Sequence, residues 1–256
     1  MDLFERDQQL FHAWEKCDEK QTRLKLGEQA ASDKEYEYVV LSESGTLPIQ
    51  VRTPEQLKPL CLIVGMHTRY FQTREAWNTF QLSVQGALEQ LSSVRTVSRV
   101  VMNGCSSLSL LLNVLRYLKP TEVDLSACVP FSAEMALQFH SAPSVLRVRF
   151  NMTPCKSLWV VDDEKGVHLQ QIWGALCPLR PNSNDARLEP HKIQEVVLYE
   201  TQKIDNKVHM PLLAWPQMRS VICVGRSQKL KPPCAWVGEW SVECDDISTV
   251  MTRIER

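Results

Sequence analysis

The run Asn103-Gly104-Cys105-Ser106-Ser107 sits where a strand-like phrase passes into a helix-like one, the position of a nucleophile elbow. It lacks the second glycine of G-x-S-x-G. The next strand-like phrase also ends in a cysteine, Cys128, at the equivalent place, so packing explains the pair better than a thiol nucleophile does. His67 follows the apolar run 60–66, and the C-terminal end of a strand is where α/β enzymes place reacting groups. Together His67 and Cys105 define one alternative reading, a compact α/β enzyme. The other histidines, His12, His140, His168, His191 and His209, form neither H-x-x-x-H nor H-E-x-x-H. Asp162-Asp163-Glu164 and Asp245-Asp246 lack the alternating spacing of a calcium loop and read as solvated turns. Nine cysteines include no C-x-x-C pair, and no phosphate-cradling glycine motif occurs. The expectation is therefore no catalytic set, no metal and no cofactor.

The elements that would carry these residues follow from hydrophobic spacing. Residues 1–32 read as an amphipathic helix, with Leu3, Phe4, Leu10, Phe11 and Trp14 on one face and Glu, Lys, Asp and Gln on the other. Two β-rich segments within 36–52 flank the turn Ser42-Glu43-Ser44-Gly45-Thr46 and predict a hairpin. The run 60–66 predicts a buried strand. Residues 73–93 predict a helix capped at Thr73, with Trp77, Phe80, Val84, Ala87, Leu88 and Leu91 as its apolar stripe. From Val94 onward, short strand-like and helix-like phrases alternate. Three regions follow: an N-terminal amphipathic helix (1–35), an α/β capping region (36–93) and a repeat-like domain (94–256).

A phrase recurs through that domain: Val100-x-Met102-x-x-Cys105, Val123-x-Leu125-x-x-Cys128, Val148-x-Phe150-x-x-Thr153 and Val196-x-Leu198-x-x-Thr201. The starts lie 23, 25 and 48 residues apart, a step of about 24 and its double, the mark of a stacked-repeat chain. A strand and a helix within 24 residues are shorter than an ordinary βαβ unit of roughly 30 or more. Val39-x-Leu41-x-x-Ser44 and Leu62-x-Val64-x-x-His67 echo the phrase, although the step from Val64 to Met102 is too long for one repeat. The next turn after Val196 would centre on Ile222-x-Val224-x-x-Ser227. The span 154–180 reads either as a degenerate repeat at Ile172-x-Gly174-x-x-Cys177 or as a hairpin turning at 163–166.

Residues 94–230 resemble the leucine-rich-repeat superfamily, in its ribonuclease-inhibitor-like or cysteine-containing classes. Val97, Val100, Met102, Cys105 and Leu108 fill the family phrase, as do Ile193, Val196, Leu198, Thr201 and Ile204. The resemblance implies an α/β fold: a short, irregular solenoid with a curved parallel sheet and an N-terminal helical and hairpin cap. It also implies a concave face that binds a protein partner.

Strand alternation places Val100 and Met102 toward the core and their neighbours outward. The outward rungs are Arg99 and Val101, Glu122 and Asp124, Arg147 and Arg149, then Glu195 and Val197 with Tyr199 beyond. Of these, Arg99, Glu122, Asp124, Arg147, Arg149, Glu195 and Tyr199 are the candidate binding residues. Their signs alternate by rung, so a ladder of mutually satisfied charges competes with a binding face. A nucleic-acid groove would be uniformly basic.

Net charge is −1, which gives no bulk attraction to nucleic acid or anionic lipid. The charged N-terminus reads as no secretory signal, and no apolar run reaches the ~20 residues of a membrane span. Scattered free thiols suit a reducing intracellular compartment: cytoplasm, nucleus or mitochondrial matrix. The expected function is a non-enzymatic protein-interaction module, an adaptor, scaffold or subunit of a larger assembly, with protein partners and no small-molecule cofactor. Besides the enzyme, a substrate receptor for protein turnover is a further alternative, since leucine-rich repeats often join an N-terminal helical recruiting module.

Overall fold

A computed structural model describes residues 2–15, 25, 28–29, 33–47, 58–64, 71–104, 107–128, 133–151, 192–199, 213, 215, 217–225 and 239–254. Their architecture is α/β, with strands that are mostly parallel. The chain divides into two compact units, the first formed by residues 1–131 with 155–160, the second by 132–154 with 161–256. Among the described residues, no helix is long and apolar enough to cross a membrane.

In the first unit, α1 (Leu3–Glu15) precedes β1 (Glu37–Leu41) and β2 (Leu60–Val64). Then come α2 (Arg74–Val94), β3 (Val97–Met102), α3 (Leu108–Leu118) and β4 (Glu122–Leu125). The four strands lie side by side in chain order, all parallel. β1 was expected to fold back on 48–52 as a hairpin. Its described neighbour is β2, and residues 48–52 lie outside the described set. The expected turn is present: Ser42 N–H donates to the Thr46 carbonyl and Gly45 N–H to that of Ser42. Gly45 has φ +78°, and a Cβ there would stand 3.2 Å from both Ser83 Oγ and Val84 Cγ2, so the turn's approach to α2 requires glycine.

Register joins the recurring phrase across these strands. Val39, Leu62, Val100 and Val123 fall in one row, and Leu41, Val64 and Met102 in the next. β2 and β3 pair directly across the expected region boundary at 93 and 94. The span 36–93 thus contributes two strands to the same sheet as β3 and β4. Leu41, Leu62, Val64, Val100, Met102 and Val123 are all closed to solvent.

Thr73 caps α2 as expected, its hydroxyl accepting from Ala76 N–H at 3.2 Å. Phe80, Val84, Leu88 and Leu91 of the expected stripe are buried. Ser107 caps α3 in the same way through Leu110 N–H, and Lys119 ends that helix in the left-handed conformation (φ +48°) before Pro120. Residues 16–24 of the predicted N-terminal helix lie outside the described set. Within α1 one expectation fails: Asp7, assigned to the polar face, is buried with Trp14.

In the second unit, α4 (Ala133–Leu137) runs into a 3₁₀ turn (Gln138–Ser141) and then β5 (Arg147–Asn151). β6 (Glu195–Tyr199) and β7 (Ser220–Val224) continue parallel to β5. β9 (Ser248–Arg253) pairs antiparallel with both β7 and β8 (Trp240–Cys244). Val148, Val196 and Val221 share one row, Phe150, Leu198 and Cys223 the next, and all six are buried. The register expected at Ile222 and Val224 is therefore shifted by one residue. Those two stand opposite Val197 and Tyr199, on the other face. The closing β8–β9 hairpin was not anticipated from the repeat.

Candidate functional site

In each unit the outward rungs lie on the face opposite that unit's buried row, Val100 and Met102 in the first and Val148 and Phe150 in the second, and the two units use them differently. In the first unit they are covered. Arg99 is 1% exposed, Val101 and Asp124 are 0% exposed, and Glu122 is 4% exposed. Arg99 and Glu122 are direct neighbours across β3 and β4, and Asp124 is diagonal to Arg99. Arg99 Nη2 meets Asp124 Oδ2 at 3.2 Å and Nε meets Glu122 Oε1 at 3.2 Å. Nη1 reaches Asp33 Oδ2 at 3.4 Å, and the guanidinium lies over the Tyr36 ring, 5.3 Å from its centroid.

The segment that precedes β1 covers this cluster. Asp33 accepts from Glu35 N–H at its side chain, and its carbonyl accepts from Tyr36 N–H and the Tyr38 hydroxyl. Tyr36 and Tyr38 also pack on Cys61 and Val101. Burial pushes the Cys61 thiol and the Tyr38 hydroxyl each up to about 12. Asp124 Oδ1 accepts from Ser126 N–H (3.0 Å) and Ser126 Oγ (2.6 Å), which fixes the carboxylate Arg99 needs. Three carboxylates and an aromatic ring thus surround one buried cation.

In the second unit the polar rungs Arg147, Arg149, Glu195 and Tyr199 are half-exposed. Arg147 Nε meets Glu195 Oε1 at 2.6 Å with a second bond, Nη2 to Oε2, at 3.1 Å, and the two residues are direct cross-strand neighbours. Arg149 Nη1 donates to the Tyr199 hydroxyl at 3.2 Å. Val197 stands opposite Arg149 on one side and Ile222 on the other, and Val224 is opposite Tyr199. Val197 is buried, while Ile222 and Val224 are half-buried. Two fixed arginines, a tyrosine and a small apolar strip thus share one sheet face. Arg and Tyr side chains held in this way present large, ordered surface beside apolar area.

Sequence reasoning placed these charges on one face and missed the apolar strip, because it put Ile222 and Val224 in the core row. Alternation alone could not choose, since Val221-x-Cys223 and Ile222-x-Val224 are both apolar. It also missed a second constellation, around Asp7. Trp77 Nε1 (3.0 Å), Ser107 Oγ (3.0 Å) and Ser109 Oγ all donate to Asp7 Oδ2, and Ser109 N–H donates to Oδ1 at 3.3 Å. Burial raises the carboxyl of Asp7, with the bonds from Ser109, Trp77 and Ser107 acting in the opposite sense.

His67 and Cys105 lie outside the described residues. So do Asp162-Asp163-Glu164 and the alternatives at 154–180. Asp245 holds the β8–β9 turn, accepting from Ile247 N–H (2.7 Å) and Ser248 N–H (2.5 Å), and these bonds keep its carboxyl below its ordinary value. Among the described residues, no group of three His, Cys, Asp or Glu side chains is placed to hold a metal ion. Compared with protein-family models, curated proteins and solved structures, the chain matches none of them.

Proposed function

We propose that this chain is a non-enzymatic interaction module of leucine-rich-repeat-like design, serving as an adaptor, scaffold or subunit of a larger assembly. The observation that carries the reading is the contrast between equivalent rungs. Arg99, Glu122 and Asp124 are consumed by their own chain, whereas Arg147, Arg149, Glu195 and Tyr199 keep partly open surface. The open rungs are also ordered in advance, by the Arg147–Glu195 pair and the Arg149–Tyr199 bond. Binding to them therefore loses less side-chain freedom than binding to unpaired arginines would. The partner surface that fits is itself mixed: polar groups for the Arg147–Glu195 and Arg149–Tyr199 pairs, with apolar side chains over half-buried Ile222 and Val224.

The test is stoichiometric capture of a protein partner by the tagged full chain, repeated with Arg149→Glu and Tyr199→Ala. Capture that falls about tenfold or more in both variants, and is unchanged by Leu82→Ala on the exposed side of α2, supports the reading. Equal capture by all four chains, or a chain that stays alone at cellular concentration, overturns it.

A further inference from the structure

The N-terminal helix is held to the first unit in an unusual way. Of the thirteen residues in α1, the described side chains that are buried are Asp7 and Trp14. Further contacts join them. Phe4 meets the edge of Trp77 with ring centroids 5.9 Å apart, and the Arg74 guanidinium lies 5.1 Å from the Phe4 centroid while pairing with Asp2. Gln8 Nε2 donates to the Phe71 carbonyl at 3.0 Å.

What receives Asp7 is built without α1. Trp77 belongs to α2, Ser107 is the N-cap of α3, and Ser109 N–H is one of the first-turn donors that a helix cannot satisfy internally. These groups converge on one carboxylate from two helices that pack together. The same indole is used twice, its Nε1–H by Asp7 and its ring by Phe4, three residues earlier on the same helix face. If α1 leaves, the donors stay in place and a carboxylate is what they fit. A helix of this length is marginal on its own, so leaving and unfolding are one event.

We propose that α1 is a displaceable strap, and that its seat on Trp77, Ser107 and Ser109 is a second docking site for an amphipathic helix bearing an aromatic residue three positions before an aspartate. In the resting chain the strap fills the seat, so the apparent affinity for an outside helix falls by the fraction of molecules in which the seat is open. This site is separate from the Arg149 and Tyr199 face and does not depend on that face binding anything.

The probe is a labelled peptide of residues 2–15, added to the full chain. Asp7→Ala in the full chain loosens the strap and leaves the seat intact. Hydrogen exchange over residues 3–15 speeds up, and the wild-type peptide binds this variant about tenfold more tightly than it binds the wild-type chain. Peptides carrying Asp7→Ala or Phe4→Ala lose that gain. Should the Asp7→Ala chain fail to fold, Phe4→Ala in the full chain, which removes only a marginal contact, shows the same release to a smaller degree. An Arg149→Glu, Tyr199→Ala chain with Asp7→Ala binds the peptide as the single variant does. The proposal is overturned if residues 3–15 stay protected in both strap variants. It is equally overturned if the strap opens but the peptide binds without regard to its own Phe4 and Asp7.

Discussion

Arg99 Nη2 lies 3.2 Å from Asp124 Oδ2, diagonally across β3 and β4, with neither side chain open to solvent. The pair is part of a set in which one guanidinium faces three carboxylates, those of Asp33, Glu122 and Asp124. Removing the cation leaves two carboxylates buried without it. Arg99→Met should therefore cost about 3–5 kcal/mol in urea unfolding. Adding Glu122→Gln and Asp124→Asn to that variant should recover much of the loss, since the uncompensated charge is then gone. A loss that the added changes fail to reduce would mean that Arg99 acts through packing on Tyr36 instead.

The corresponding pair in the second unit should behave differently. Arg147 and Glu195 are close and bidentate, yet their side chains are 40% and 22% exposed. Solvent screens such a pair, and Glu195→Gln should cost only about 0–1 kcal/mol by the same measurement. A loss as large as that of Arg99→Met would place the second-unit rungs in the folding core and remove the basis for a surface role.

The difference between the two units marks where the sequence stops being legible. Alternation along Val97–Met102 and Glu122–Leu125 separates the two faces correctly, because that depends only on strand geometry. Whether a face is covered depends on chain far away in sequence, here Asp33, Tyr36 and Tyr38, and no local pattern carries it. The strand order was partly readable. Val39 and Leu62 echo the phrase of Val100 and fall in its row, although the long interval containing α2 disguised the repeat. The one-residue shift at β7 was not readable, since both registers are apolar and only pairing with Val196 and Leu198 decides. The β8–β9 hairpin was overlooked in favour of the repeat, despite alternating phrases on either side of Asp245-Asp246. Asp7 was legible and passed over: it stands between Phe4 and Phe11 on the apolar stripe, where a carboxylate calls for a buried partner.

Thiol chemistry should divide along burial. Cys61 and Cys223 are pushed up to about 12 by burial, and buried Cys128 stands with its Sγ 3.4 Å from the Met102 carbonyl, whereas Cys244 is exposed. The thiolate is the reactive form, so alkylation of the native chain at about pH 8 should label Cys244 and spare the other three until denaturant is added. Rapid native labelling of Cys61 would show that the Tyr36 and Tyr38 cover opens readily, and would weaken the account of Arg99 as sealed structure.

Asp7 supplies the last prediction, through pH. Burial is the largest influence on its carboxyl and raises it, outweighing the bonds from Ser109, Trp77 and Ser107. A carboxyl raised on folding binds its proton more tightly in the native state than in the unfolded one. Its contribution to stability is then greatest below the ordinary aspartate range and is lost as pH rises through the folded value. Asp7→Asn holds a neutral group of the same shape at every pH. Near pH 7 the wild type should therefore be the less stable of the two, and the gap in melting temperature should close as pH falls toward about 4. Both chains share every other titrating group, so their difference isolates this one. A gap that widens on acidification would show that the four donors around Asp7 outweigh its desolvation.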